Sequence, residues 1–261
     1  TVFAPVSANA FPFDLGIQGG NPNLESETAD TITAGIVLRS PFQNDLLSGL
    51  TLSVDYYKID LEGAIAAPNG AQVYQQCLDA RFNPAIASSP GSLTGAELAA
   101  GNPYCALIMR EYSAQFPYGA NRNTQAQFRN LGGIKTDGID VQIDWRASIG
   151  SIPGMFSVNV QYNYLGSFQV SPFAGAPFTE RKGTWDSGYN FDWRTLTTFG
   201  YSNGPWSVGL RWQHLPGLER PPSASPNTLP LASHDNFDLF GRWALNQRYE
   251  FRAGIDNLLN S

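Results

Sequence analysis

Gly138-Ile139-Asp140-Val141-Gln142-Ile143-Asp144-Trp145-Arg146 is the stretch that decides the fold. Ile139, Val141, Ile143 and Trp145 alternate without a break against Asp140, Gln142, Asp144 and Arg146. Successive side chains of an extended strand point to opposite faces, so this segment has one apolar face and one polar face. A helix would scatter the same residues around its circumference. The pattern recurs about eight times along the chain. Phe156, Val158, Val160, Tyr162 and Tyr164 oppose Ser157, Asn159, Gln161 and Asn163. Leu50, Leu52, Val54 and Tyr56 alternate with Thr51, Ser53 and Asp55, and Trp206, Val208, Leu210 and Trp212 with Ser207, Gly209, Arg211 and Gln213. Tyr249, Phe251, Ala253 and Ile255 oppose Glu250, Arg252, Gly254 and Asp256, and weaker versions run through 31–38, 193–201 and 237–243.

Composition narrows what such strands can build. Charged residues make up 15% of the chain, against about 25% in soluble domains, while aromatics reach 13%. The mean hydropathy is nevertheless slightly negative, at -0.23. No run of about 18 apolar residues exists, which excludes a spanning helix. A chain apolar on alternate residues hides its hydrophobicity from any average, as transmembrane β-barrels do. By composition alone a soluble β-sandwich shares that signature. The net charge of -6, with no Lys/Arg cluster to neutralise phosphates, argues against a nucleic-acid partner. Cys77 and Cys105 lack metal-ligand spacing and read as one disulfide closing a loop in an oxidising compartment, the alternative being two unrelated thiols.

The connections between strands sort by length. Those at 150–154, 202–205 and 246–248 are short and 40–49 is of medium length, whereas 62–124, 170–190 and 216–235 are long. In an up-and-down sheet every second connection lies on the same side, so strict alternation gives the two sides different roles. Outer-membrane barrels have this asymmetry, with tight periplasmic turns and long external loops; a β-sandwich has no reason to sort its loops. Aromatics follow the same division. Trp145, Phe156, Tyr201, Trp206, Trp243 and Tyr249 lie beside short turns, and Tyr56, Tyr164, Trp193, Trp212 and Phe237 lie near long loops. Two such rows are expected of aromatic girdles at the bilayer interfaces. The eight steps from Phe156 to Tyr164 give roughly 26 Å of strand, or about 20 Å of height when tilted by ~40°, close to the ~25 Å apolar band of a barrel. The apolar residues Ile139, Val141, Ile143, Val158, Val160, Val208 and Leu210 are therefore expected on the convex, lipid-facing side.

Three motifs carry a family resemblance. Gly20-Asn21-Pro22-Asn23-Leu24, followed by Glu27, opens the first strand; 130–140, beginning Asn130-Leu131-Gly132-Gly133, opens the third; Asp256-Asn257-Leu258-Leu259-Asn260 ends the eighth. In this order they resemble the barrel domain of TonB-dependent outer-membrane receptors over almost the whole chain. Ser26 stands where that family usually has proline, and Leu259 and Asn260 where it often has phenylalanine and aspartate. The resemblance implies an all-β, antiparallel up-and-down transmembrane barrel of about 22 strands. Residues 1–261 are then a partial barrel domain holding about eight of those strands, an open curved sheet with long extracellular loops. The plug domain and the last strand fall outside it. The implied function is active uptake of a scarce ligand (siderophore, cobalamin or oligosaccharide) across the bacterial outer membrane, with outer-membrane lipid, the receptor's own plug and TonB as partners. No chemical step and no cofactor are implied. The rival readings are a passive porin or small complete barrel, and a soluble β-rich carbohydrate-binding module.

Candidate site residues fall into two groups. The loop stretch around Arg110, Tyr112, Phe116, Tyr118, Arg122 and Arg129 mixes aromatic and cationic side chains suited to contacting a ligand. On the polar faces, Asp140, Asp144, Arg146, Arg194, Arg211, Arg242 and Arg252 place both signs toward the lumen, where the resemblance puts the plug. Catalytic chemistry is missing. Gly200-Tyr201-Ser202-Asn203-Gly204 matches G-x-S-x-G, but Pro205 and an alternating strand follow, so it reads as a tight turn and not a nucleophile elbow. His214 and His234 are the only histidines, and no H-E-x-x-H or Cys/His cluster exists. Helices are expected within 72–80 and 94–100.

Overall fold

The computed structural model describes residues 17–68, 70–78, 105–111, 120–130, 132–171, 176–185, 188–221 and 227–259. Two compact units share the chain. One comprises 29–60, 134–170 and 178–261, and the other 1–28, 61–133 and 171–177.

The larger unit is built on eight antiparallel strands: β1 (Thr28–Arg39), β2 (Leu50–Glu62), β3 (Gly133–Ala147), β4 (Met155–Ser171), β5 (Trp193–Asn203), β6 (Trp206–Leu215), β7 (His234–Ala244) and β8 (Glu250–Ile255). Each pairs only with its sequence neighbours, in the order β8-β7-β6-β5-β4-β3-β2-β1, with the two-residue strand Thr179–Glu180 added against Gln169 and Val170 of β4. β1 and β8 have one neighbour each, so the ladder is an open meander and not a closed eight-stranded barrel. That removes the small-barrel rival. The G-x-S-x-G match is a hairpin turn: β5 ends at Asn203, Gly204 takes a left-handed φ of 54°, and β6 begins at Trp206.

Register carries the alternation from strand to strand. Val158 faces Phe199, which faces Leu210, which faces Leu239, which faces Ile255. One residue over, Asn159 faces Thr198, then Arg211, then Asp238. Every strand from β4 to β8 thus contributes apolar groups to one face and polar groups to the other. Among the described residues this face contributes to no hydrophobic core. Val208 is 46% exposed and Ile139 37%, and Val141, Ile143, Val158, Val160 and Leu210 are half-buried, none of them fully buried. Among the described residues only Ala147 and Leu218 are buried hydrophobics in this unit. Eight strands without a core cannot be a soluble sandwich, which buries its inner faces; a bilayer supplies the missing apolar phase.

Both aromatic rows are assembled on the apolar face. Beside the short turns Phe156 packs tilted against Tyr201 (centroids 4.9 Å, 45°), while Trp206 stacks on Trp243 (4.8 Å, interplanar angle 1°) and Trp243 on Phe251 (5.7 Å). Trp145 Nε1 donates to the Leu46 carbonyl and Tyr201 Oη to the Pro153 carbonyl, both at 2.6 Å, so each aromatic couples an apolar body to a polar turn. At the long-loop end Tyr162 stacks on Trp193, Trp193 on His214, and Trp212 on Phe237.

β3 and β4 are longer than their clean alternation, at 15 and 17 residues. A span needs only about 9–11 tilted residues, so both continue past the apolar band on the long-loop side. Beyond the apolar band a strand no longer needs one lipid-facing side, so the alternation fades there.

The smaller unit replaces part of the loop expected over 62–124. Helix α1 spans Gly70–Leu78, a 3₁₀ turn covers Cys105–Leu107, and Ile108–Glu111 pairs antiparallel with Ala120–Gln127, which pairs parallel with Ile17–Gly19. Cys77 and Cys105 are bonded, with Cα atoms 4.6 Å apart, inside a small core of Val73, Leu107 and Ile108. The helix expected at 94–100 lies outside the described residues. These short strands escaped the sequence reading because Ala120–Gln127 (ANRNTQAQ) has no apolar face. Backbone pairing alone defines it.

Within this unit the first two family motifs are tied together. Asn130 Oδ1 accepts from the Glu25 amide (2.8 Å), while its Nδ2 donates to the carbonyls of Glu25 (2.8 Å) and Gly63 (2.9 Å). Asn21 Nδ2 donates to the Phe128 carbonyl, and Glu27 Oε1 accepts the Ile65 amide at 2.6 Å. The third motif turns the chain at the end of β8, where Asn257 takes φ 52° and donates its amide to Asp238 Oδ1.

Candidate functional site

The polar face of the sheet is a wall of amides and alternating charges. Asn163 Nδ2 donates to Asp140 and Asn159 Nδ2 to Asp144, each at 2.7 Å, and Gln142 Nε2 also donates to Asp144. These hydrogen bonds run across β3 and β4 and along β3, holding the two carboxylates in fixed positions. Toward β8 the arginines find acids: Arg211 lies 4.0 Å from Asp238, and Glu250 bridges Arg242 (2.5 Å) and Arg252 (2.6 Å). Exposed pairs of this kind contribute little to stability; they leave a wettable surface of both signs. Arg146 and Arg194 have no ion-pair partner among the described residues.

Arg194 occupies a particular place. It lines an open cleft of about 480 Å³ with Asp55, Asp140, Gln142, Gln161 and Gln213. Together with Asn163 it also lines a second cleft of about 280 Å³, toward the long-loop end, where Tyr57, Tyr189 and Phe191 converge. Tyr57 reaches this cleft because position 138 is glycine: a Cβ there would collide with the Tyr57 ring and the Tyr164 carbonyl. Tyr189 is 69% exposed and stacks against Phe191 (6.3 Å, 17°). Backbone bonds pin this loop, with Gly183 N donating to Asn190 O and Asn190 N to Thr184 O. Nearby, Glu180 fastens the end of β4. Desolvation pushes its pKa up, but the amides of Lys182, Phe168 and Arg181 and the Ser167 hydroxyl outweigh that and hold it below the usual glutamate value.

Of the loop residues singled out in the sequence, Arg110 lies in Ile108–Glu111 with its Cα opposite Asn121, next to Arg122 in the paired strand. Arg129 lies opposite Ala66 in a separate two-strand ribbon. Tyr112, Phe116 and Tyr118 lie outside the described residues. Tyr57, Tyr189 and Phe191 were not anticipated. One signal existed for Tyr57: it directly follows Tyr56, and in a two-faced strand one of two adjacent tyrosines must stand on the polar wall.

A sheet apolar on one face, polar on the other, rimmed by two aromatic rows and without a core is the wall of an outer-membrane-type β-barrel. The model of the family described as TonB dependent receptor-like, beta-barrel matches residues 1–258, and the chain belongs to that family. The family is one of transport receptors, and TonB-dependent receptors are outer-membrane β-barrels. Among solved structures, a mutant ferric enterobactin receptor (PfeA) from Pseudomonas aeruginosa superposes with a TM-score of 0.53 at 12% identity, over 93% of this chain and 27% of the receptor. The siderophore receptor PirA from Acinetobacter baumannii gives 0.50 at 12% identity, over 94% of this chain and 29% of that one. At such identity the likeness shows the fold, and the chain spans less than a third of either receptor. No curated protein matches in a sequence search.

Proposed function

We propose that this chain is a lipid-spanning part of a receptor in the bacterial outer membrane that takes up a scarce small molecule, a siderophore being the first candidate. The observation that carries the reading is the coreless two-faced sheet, whose apolar side only a bilayer can cover. Siderophore uptake is favoured because both superposed structures are siderophore receptors, and the family match agrees with it. In this reading the polar wall lines the lumen, and Asp140, Asp144, Arg146, Arg194, Arg211, Arg242 and Arg252 contact a plug domain contributed by the rest of the receptor. Loops on the long side, including 110–129, capture the ligand, and TonB supplies the energy that moves the plug. No chemical step on the ligand is required.

The test is uptake by cells producing the full-length receptor. Radio-iron delivered as a panel of ferric siderophores should accumulate only when both the receptor and TonB are present, and the receptor should fractionate with the outer membrane as a heat-modifiable band. Equal accumulation without TonB would refute active transport and favour a passive pore.

A further inference from the structure

We infer that the short-turn rim of the sheet is a lipid-anchoring surface. It sits in the headgroup layer of the periplasmic leaflet, with Leu46, Ile152 and Leu245 dipped to the acyl boundary; this rests on the receptor reading above. Turns in water are built from Gly, Pro, Asn, Asp and Ser. The connections at 40–49, 148–154 and 245–249 use residues of this kind for their bends, yet each also presents a large aliphatic side chain. Leu46 is 49% exposed, Ile152 50% and Leu245 49%, with Phe42 of the first turn at 58%. Their backbones are pinned. Asn44 Oδ1 accepts the Leu47 amide at 2.8 Å, Ile152 N donates to the Ile149 carbonyl at 3.1 Å, and Asn246 Oδ1 accepts the amides of Arg248 and Tyr249. In water a turn that holds a leucine or isoleucine outward gains nothing by it; at a membrane interface the same side chain adds buried apolar area.

The aromatic row sets the depth. The Trp145 indole donates to the carbonyl of Leu46 itself, and the Tyr201 hydroxyl to the carbonyl of Pro153, next to Ile152, both at 2.6 Å. Leu245 follows Trp243 by two residues, the spacing that returns an extended chain to the same face, and lies just past the end of β7. Trp145, Tyr201 and Trp243 stand on the apolar face, so the three aliphatics share their level and continue the lipid-facing surface. A plug in the lumen would lie on the opposite side of the sheet. Ile152 joins β3 to β4 in the interior of the sheet, away from the open edges at β1 and β8. Charge narrows the choice of lipid. Asp45 and Arg248 are the only charged residues in the three connections, one of each sign. A segment drawn to anionic lipid carries a face rich in Lys and Arg; a rim of zero net charge fits zwitterionic phospholipid.

Nitroxide labels on the full-length receptor in phosphatidylcholine vesicles test this, read by power-saturation EPR as the ratio of collisions with oxygen, which enriches in lipid, to collisions with a nickel chelate, which stays in water. Leu46→Cys and Ile152→Cys carry the probe on the rim. Leu210→Cys, in the apolar band, and Leu229→Cys, 80% exposed on the long-loop side, carry the same label as lipid and water references. Labels at 46 and 152 should favour oxygen, less strongly than at 210, while the label at 229 favours nickel. Replacing part of the lipid with anionic phosphatidylglycerol should leave the ratios at 46 and 152 unchanged. A ratio at either rim site equal to that at 229 overturns the assignment. So does shielding from both reagents, which would mean that protein covers the rim, or lipid contact that appears only with phosphatidylglycerol. A label at 210 that favours nickel would instead remove the membrane reading itself, so the two failures are told apart.

Discussion

Replacing Leu210 with arginine probes which phase covers the apolar face. Leu210 lies on β6 between Phe199 of β5 and Leu239 of β7, four residues beyond Trp206 of the turn-side aromatic row. Four steps are about 13 Å of strand, or about 10 Å of height at a tilt of ~40°, which is near the middle of an apolar band ~25 Å tall. An arginine at mid-depth in a barrel wall costs about 2–4 kcal/mol, falling to about 0–1 kcal/mol at the interfaces. Asn203 lies on the same face, paired with Trp206 at the turn, so Asn203→Arg should cost at most about 1 kcal/mol. Gln161 lies on the polar wall, and Gln161→Arg should be near neutral. The assay is reversible guanidinium unfolding of the full-length receptor in phosphatidylcholine vesicles, followed by tryptophan fluorescence. Equal costs for Leu210→Arg and Asn203→Arg, or a Gln161→Arg cost as large as that of Leu210→Arg, would refute the assignment of the faces.

Reducing the Cys77–Cys105 bond, whose cysteines are 28 residues apart, removes a loop-entropy contribution of about 3–4 kcal/mol; limited proteolysis should then cut within 61–133 while the strands stay protected. Asn130→Ala deletes three hydrogen bonds to Glu25 and Gly63. It should destabilise the smaller unit by about 1–3 kcal/mol, read as faster amide exchange at Glu25 and unchanged exchange in β6. Glu180 has a folded pKa below its unfolded value, so its clasp on β4 is fully present above the ordinary glutamate pKa of 4.5 and fades as pH falls through the lowered value. Exchange of the Phe168 and Lys182 amides should accelerate only on that acid side, and Glu180→Gln should flatten the dependence.

The strands were legible because lipid and water select opposite residues on alternate positions, and 139–146 leaves no other reading. Legibility ended where that selection ended. The outer reaches of β3 and β4 lie beyond the apolar band, and Ala120–Gln127 carries no apolar residue larger than alanine, so no period survives there. The clasp by Asn130 was visible only as a familiar motif, since nothing in the string shows that residues 105 positions apart will meet. The polar wall was placed by parity alone, as the cross-strand pairs Asp140–Asn163 and Asp144–Asn159 show. Arg194 was picked out only as a charge on the polar wall; the aromatics that line a cleft with it, Tyr57, Tyr189 and Phe191, come from β2 and from a loop with no periodicity.

The Asn130 clasp also has a kinetic side. Closing a chain over 105 residues costs about 1 kcal/mol more entropy than closing it over the 28 between the cysteines, since the cost grows with the logarithm of length. The helix and its crosslink can therefore organise early as a local event. The clasp gains its partners cheaply only once β1, β2 and β3 stand side by side and shorten the path between Glu25 and Asn130. A late clasp is the order expected from this difference, and pulse-labelled amide exchange at Glu25 during refolding checks it.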